Sequence, residues 1–219
     1  MKHIALFLFV GIGTLMGCTR PSGEAILSEA ELEELPDQES WDAVLRFSED
    51  GRPRLILAAP YAAHFTQGDS SVTRLGPDPE RRDSARVRIE LFDAGAPSAI
   101  IRADRVDYQD RTQQFVAAGA VDADLYQANG TRLTAGRLTY ESESGLFTAE
   151  ETVIVVTQDG RRLESEQLVW DQAGGQLNVA GRFRFTTPGE RINGVGLVAS
   201  EDLSRYSFSQ ATGELEVEE

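Results

Sequence analysis

The chain has 219 residues, enough for one β domain together with an export signal and a linker. A formal net charge of −15 speaks against nucleic-acid binding, which needs a basic footprint, and against docking on anionic head groups through a polybasic patch. It leaves room for a lipid ligand, because acyl chains are read by apolar walls.

Lys2 and His3 open the chain, and an apolar run follows from Ile4 to Met16. The run is shorter than the roughly 20 apolar residues a membrane span needs and has the length of a signal-peptide core. It closes with Leu15-Met16-Gly17-Cys18, which resembles a bacterial lipobox, although Met16 is bulkier than the usual residue there. Residues 1–17 therefore read as a lipoprotein signal peptide. Cys18, the only cysteine, reads as the site of lipidation. Several acyl chains on Cys18 would make a stable membrane anchor, where one alone would be marginal. The alternative is an ordinary secretory signal with an incidental cysteine. Residues 18–40 are polar and Glu-rich and read as a solvated tether, with a short amphipathic helix as the other option.

From Trp41 the period becomes two. Trp41, Ala43, Leu45 and Phe47 alternate with Asp42, Val44, Arg46 and Ser48; Glu49-Asp50-Gly51-Arg52 turns the chain, and Leu55, Leu57 and Ala59 resume the pattern. Residues 66–84 read as a long polar loop. Val87, Ile89 and Leu91 begin another strand. A two-strand unit then repeats about every 30 residues. Its copies hold Ile101, Ala103, Val106, Tyr108, Phe115, Ala117, Val121, Ala123 and Leu125; then Leu133, Ala135, Leu138, Tyr140, Phe147, Ala149, Val153 and Val155; then Leu163, Ser165, Leu168, Trp170, Leu177, Val179, Phe183 and Phe185. Asn129-Gly130, Asp159-Gly160 and Pro188-Gly189 close them. No unit buries its apolar face alone, so stacked units predict an all-β fold of two facing antiparallel sheets over residues 41–219. Reversing turns disfavour a β-helix, and the short units disfavour a propeller.

The pattern from Ala103 to Trp170 (A-D-x-V-x-Y, F-x-A-x-G-x-V, N-G-x-x-L-x-A-x-x-L-x-Y, D-G-x-x-L-x-S-E-x-L-x-W) resembles the OstA-like repeat of lipopolysaccharide transport proteins. The tail from Phe183 to Leu197, continuing through Leu203 and Tyr206, is closer to the LptC branch of that family than to the LptA branch. The resemblance spans roughly residues 41–217. It implies an open, twisted β-jellyroll without catalytic groups, cofactor or metal, lipid-anchored at the periplasmic face of the inner membrane. Lipopolysaccharide would be received from an inner-membrane ABC transporter and passed to an LptA-like periplasmic bridge protein. Its acyl chains would run along an interior wall of Leu45, Leu57, Ile101, Val121, Ala123, Leu133, Phe147, Val153, Val155, Leu163, Phe183 and Phe185. From residue type alone, the same side chains equally form the core of any sandwich. Thr157, Ser165 and Thr187 are polar inward candidates, for the mouth of the trough or for strand ends. Partners would add strands at unpaired edges: the transporter at Trp41 and Phe47, the bridge at Tyr206, Phe208, Leu215 and Val217. His64, beside Phe65, reads as a surface or satisfied imidazole. A structural or adhesive envelope lipoprotein with a filled sandwich is the competing reading.

Overall fold

The computed structural model describes residues 35–81, 85–126, 128 and 130–215. Every regular element among them is a strand, and the compact unit begins at Pro36. The expected signal peptide, Cys18, most of the expected tether and Val217 lie outside the described residues.

Strand β1 (Gln38–Glu49) starts inside the stretch expected to be tether and pairs with β2 (Arg52–Gln67). Asp50 and Gly51 both take positive φ, 50° and 76°, which is what a two-residue type I′ hairpin turn requires. The expected 66–84 loop is corrected by the next element, β3 (Ser70–Gly76), followed by β4 (Val87–Asp93), β5 (Ala96–Ala103) and β6 (Arg105–Gln109). On β3 the inward set is Ser71, Thr73 and Leu75, with Leu75 fully buried. With one apolar member in three, that set gives hydrophobic alternation nothing to register.

Seven longer strands complete the chain: β7 (Gln114–Leu125), β8 (Thr131–Glu141), β9 (Leu146–Val156), β10 (Arg162–Asp171), β11 (Gln176–Thr186), β12 (Glu190–Ser200) and β13 (Tyr206–Leu215). All pairings are antiparallel, and from β7 to β13 each strand pairs with the next in sequence. β2 pairs with β4 through its first half and with β3 through its second; β7 pairs with β6 through its first half and with β5 through its second. Since β3 also pairs with β6, and β4 with β5, each of the couples β3/β4 and β5/β6 fills one strand position. The whole is one meander with β1 and β13 at its ends.

This sheet is doubled over along a crease that crosses β1, β2 and β7 to β12 and falls between the members of the β3/β4 and β5/β6 couples. At the crease the inward set changes phase: Ala135 gives way to Leu138, Ser165 to Leu168, and Gly194 to Leu197. Strands β7, β9 and β11 each carry one extra residue there, and a bulge of this kind bends its strand. Gly119 sits at the crease with φ 92°, the conformation a glycine tolerates best. A side chain on it would also strike Asp104, whose carboxylate accepts a hydrogen bond from the Ala120 amide at 3.0 Å. On β1 the change falls at Asp42, φ 52°, so Trp41 turns outward, 50% exposed, while Ala43, Leu45 and Phe47 face in. The expectation that Trp41 shares a face with them is therefore corrected.

Candidate functional site

Between the folded halves, two cross-strand rows face the interior. The first is aliphatic apart from Phe185. Ladder partners run Leu45, Leu57, Ile89, Ile101, Ala123, Leu133, Val155, Leu163, Phe185 and Ile192. Most of the wall expected from sequence lies on this one row, and Val121, Val153 and Phe183 belong to the adjoining row nearer the crease. The second row is aromatic: Tyr108, Phe115, Tyr140, Phe147 and Trp170 are successive partners in the opposite half. Centroids lie 5.3 Å apart for Phe115–Tyr140, 4.7 Å for Tyr140–Phe147 and 4.6 Å for Phe147–Trp170. Aromatic pairs at such spacings add attraction beyond the area they bury.

The interior is well filled. Leu57, Ile101, Ala123, Leu133, Phe147, Val155, Leu163 and Phe185 have no exposed surface, Val121 and Val153 have 1–2%, and Phe183 has 4%. All belong to one apolar cluster, against which half-buried Leu45 packs. Of the expected wall, Phe147 lines a slot of about 420 Å³ between the free lips of the doubled sheet, whereas Val153 and Phe183 line a wider hollow of about 830 Å³ and Leu45 a small one of about 260 Å³ near β1. The other apolar groups lining the slot all lie on the alternating pattern, Phe47, Leu55 and Leu91 on one lip and Tyr108 and Tyr140 on the other, but that pattern does not show that these strand ends meet. Among the described residues, no strand of one lip is paired with a strand of the other. Side chains join the lips instead. Arg54 donates to the Tyr140 hydroxyl at 3.1 Å, Gln172 donates to Ser98 Oγ, and the Phe47 and Tyr108 rings lie 4.8 Å apart.

At the β1 end, Trp41 packs edge-on against Tyr61 on the outer face. Phe47, expected at a partner edge, points into the slot; the phase change at Asp42 separates it from Trp41. At the β13 end, Tyr206 is half-buried against Phe185, with centroids at 4.6 Å, and its hydroxyl donates to Glu190 at 3.3 Å. Burial, then the Glu190 charge and that hydrogen bond, push its phenol up. Phe208 shares the inward face yet is 43% exposed, because no further strand among the described residues covers it. Leu215 pairs through its backbone with Glu190.

The polar inward candidates separate. Thr157 and Thr187 cap turns at strand ends: Thr157 donates to Asp159, and Thr187 accepts from the Glu190 amide at 3.1 Å. Ser165 lies at the crease, away from the lips, with its Oγ buried and unpartnered among the described residues. His64 is half-buried with Nδ1 at 3.1 Å from Thr73 Oγ1, a satisfied imidazole.

Compared with models of known protein families and with characterised proteins, the chain finds no match.

Proposed function

We propose that this chain is a lipid-anchored transfer component of lipopolysaccharide export, an OstA-like β-jellyroll of the LptC type. In this reading it takes lipopolysaccharide from an inner-membrane ABC transporter and hands it to an LptA-like periplasmic bridge, without catalysis of its own. The observation that carries it is the doubled meander, whose apolar rows run continuously between two strand edges and whose lips, among the described residues, are joined by side chains and by no strand pairing. An acyl chain entering between the lips would meet an apolar wall on both sides. Each buried CH₂ is worth about 0.8 kcal/mol, so shielding ten or so carbons outweighs the few side-chain contacts that must part. The sugars would stay in water beyond the lips. The edges β1 and β13 each have one hydrogen-bonded neighbour, so each can template an added strand.

The burial of the first row from Leu57 to Ile192 favours the competing reading, a structural envelope lipoprotein with a closed sandwich. Photocrosslinkers decide between them. Placed at Phe47, Tyr140 and Phe208 in the full chain in cells, they should label lipopolysaccharide, whereas an outward control at Arg88 should not. No labelling at the three inward sites, in an envelope that still exports lipopolysaccharide, would end the transport reading.

A further inference from the structure

The slot has its own chemistry, distinct from that of the filled interior behind it. At about 420 Å³ it falls within the range of sites that enclose one small ligand. Behind it Leu57, Ile89 and Ile101 leave no free surface, so a second chain has nowhere to go. Its floor is apolar and aromatic, and its charged lining is Arg46, Arg54 and Glu49. Arg54 contacts Glu49 at 3.1 Å and Tyr140 at 3.1 Å. Arg46 alternates with inward Leu45 and Phe47, so its side chain lies on the outer face. Arg54 is thus the cation that reaches the slot, on a chain whose formal charge is −15.

We propose that the slot binds a single-chain anionic amphiphile, its alkyl tail on Phe47, Leu55 and Leu91 and its carboxylate or phosphate on Arg54. A phenol is a neutral acceptor, and a charged acceptor binds a guanidinium about twice as strongly. The head group therefore displaces Tyr140 from Arg54, and Tyr140 acts as the latch that closes the slot when it is empty. This site goes beyond the transport reading and does not depend on it.

The test uses the full chain in phosphatidylcholine nanodiscs with three photoactivatable dodecanoyl probes: the free acid, a lysophosphatidic acid, and the methyl ester of the acid. Probe-labelled residues are mapped by mass spectrometry. At least one anionic probe should label the segments around Phe47, Leu91 and Tyr140, and the ester should label them roughly tenfold less. Which anionic probe succeeds tells a fatty acid from a phosphorylated lysolipid. Arg54→Gln should reduce anionic labelling to the level of the ester, Arg54→Lys should restore part of it, and Tyr140→Phe should raise it, all at unchanged melting temperature. Labelling elsewhere, equal labelling by acid and ester, or indifference to Arg54→Gln overturns the proposal. Lipopolysaccharide labelling at Phe208 is a separate readout, so failure of one reading is distinguishable from failure of the other.

Discussion

Asp122 on β7 is 8% exposed, and its carboxylate meets Arg86 at 2.7 Å, Arg102 at 3.2 Å and Arg132 at 3.4 Å. Burial opposes its charge, but the hydrogen bonds from Arg86 and Arg102 and the charges of Arg86 and Arg132 outweigh it, holding the carboxyl below its ordinary 3.8. A depressed acid stabilises the fold fully above the unfolded value and loses that contribution as pH falls through the folded one. Asp122→Asn should therefore cost about 1–3 kcal/mol at pH 7 by urea denaturation, discounted toward the lower end because the arginines are partly in water. The gap to the native chain should shrink below pH 3.8. Glu201 has the opposite sign. Burial, then repulsion from Asp171, Asp202 and Asp93, raises its carboxyl against the pull of the Trp170 indole N–H. Its charged form is the penalised one, so stability falls as pH rises through the folded value. Glu201→Gln, which keeps an acceptor for the indole, should melt higher than the native chain at pH 7 and match it below pH 4.5.

Strand β9 crosses the crease with Glu151 and Thr152 at φ 65° and 64°, both exposed. A β-branched residue there is strained by about 1–2 kcal/mol. Thr152→Gly should raise stability by up to about 1 kcal/mol, read as a higher urea midpoint, the gain being limited by the entropy glycine adds to the unfolded chain. On β12, Gly194 lies under the Phe183 ring, where an added Cβ would come within 2.7 Å of ring carbon. Gly194→Val should cost roughly 1–3 kcal/mol through overpacking and should strip amide-exchange protection from β13 before the rest of the sheet. The strands of the repeat were legible because they bury one residue in two, with Leu, Val, Phe and Tyr at matched positions. The aromatic row could be read directly, in Tyr108, Phe115, Tyr140, Phe147 and Trp170. The crease was written in the spacing Leu133, Ala135, Leu138, Tyr140, a step of three among steps of two, but a bend cannot be told from a loop without its ladder partners. β3 escaped because its inward face is mostly hydroxyls, and Trp41 was misplaced because a single positive φ at Asp42 leaves no mark in composition.

At the scale of the molecule, Phe147 joins core and slot. It touches Phe115, Tyr140 and Trp170 and has no exposed surface. Phe147→Ala should cost about 3–5 kcal/mol, measured by chemical denaturation, since a large ring leaves a cavity that the aromatic row cannot close. The candidate slot was less legible than the wall. It is made where strand ends from β1, β2 and β4 approach those of β6 and β8, a juxtaposition set by the fold of the sheet and not by any local pattern.

The order of the strands has a consequence for how such a chain is made. Nearly every ladder is built between stretches adjacent in sequence, so little chain must be gathered before a pairing can form, and rates of self-assembly rise with such locality. A polypeptide delivered through a membrane pore from its N-terminus can lay down hairpin upon hairpin as it emerges, each new one finding its template already in place. Removing the last hairpin should accordingly leave a shorter, still cooperative body, and lengthening the chain by one more repeat should extend it, as in other modular architectures.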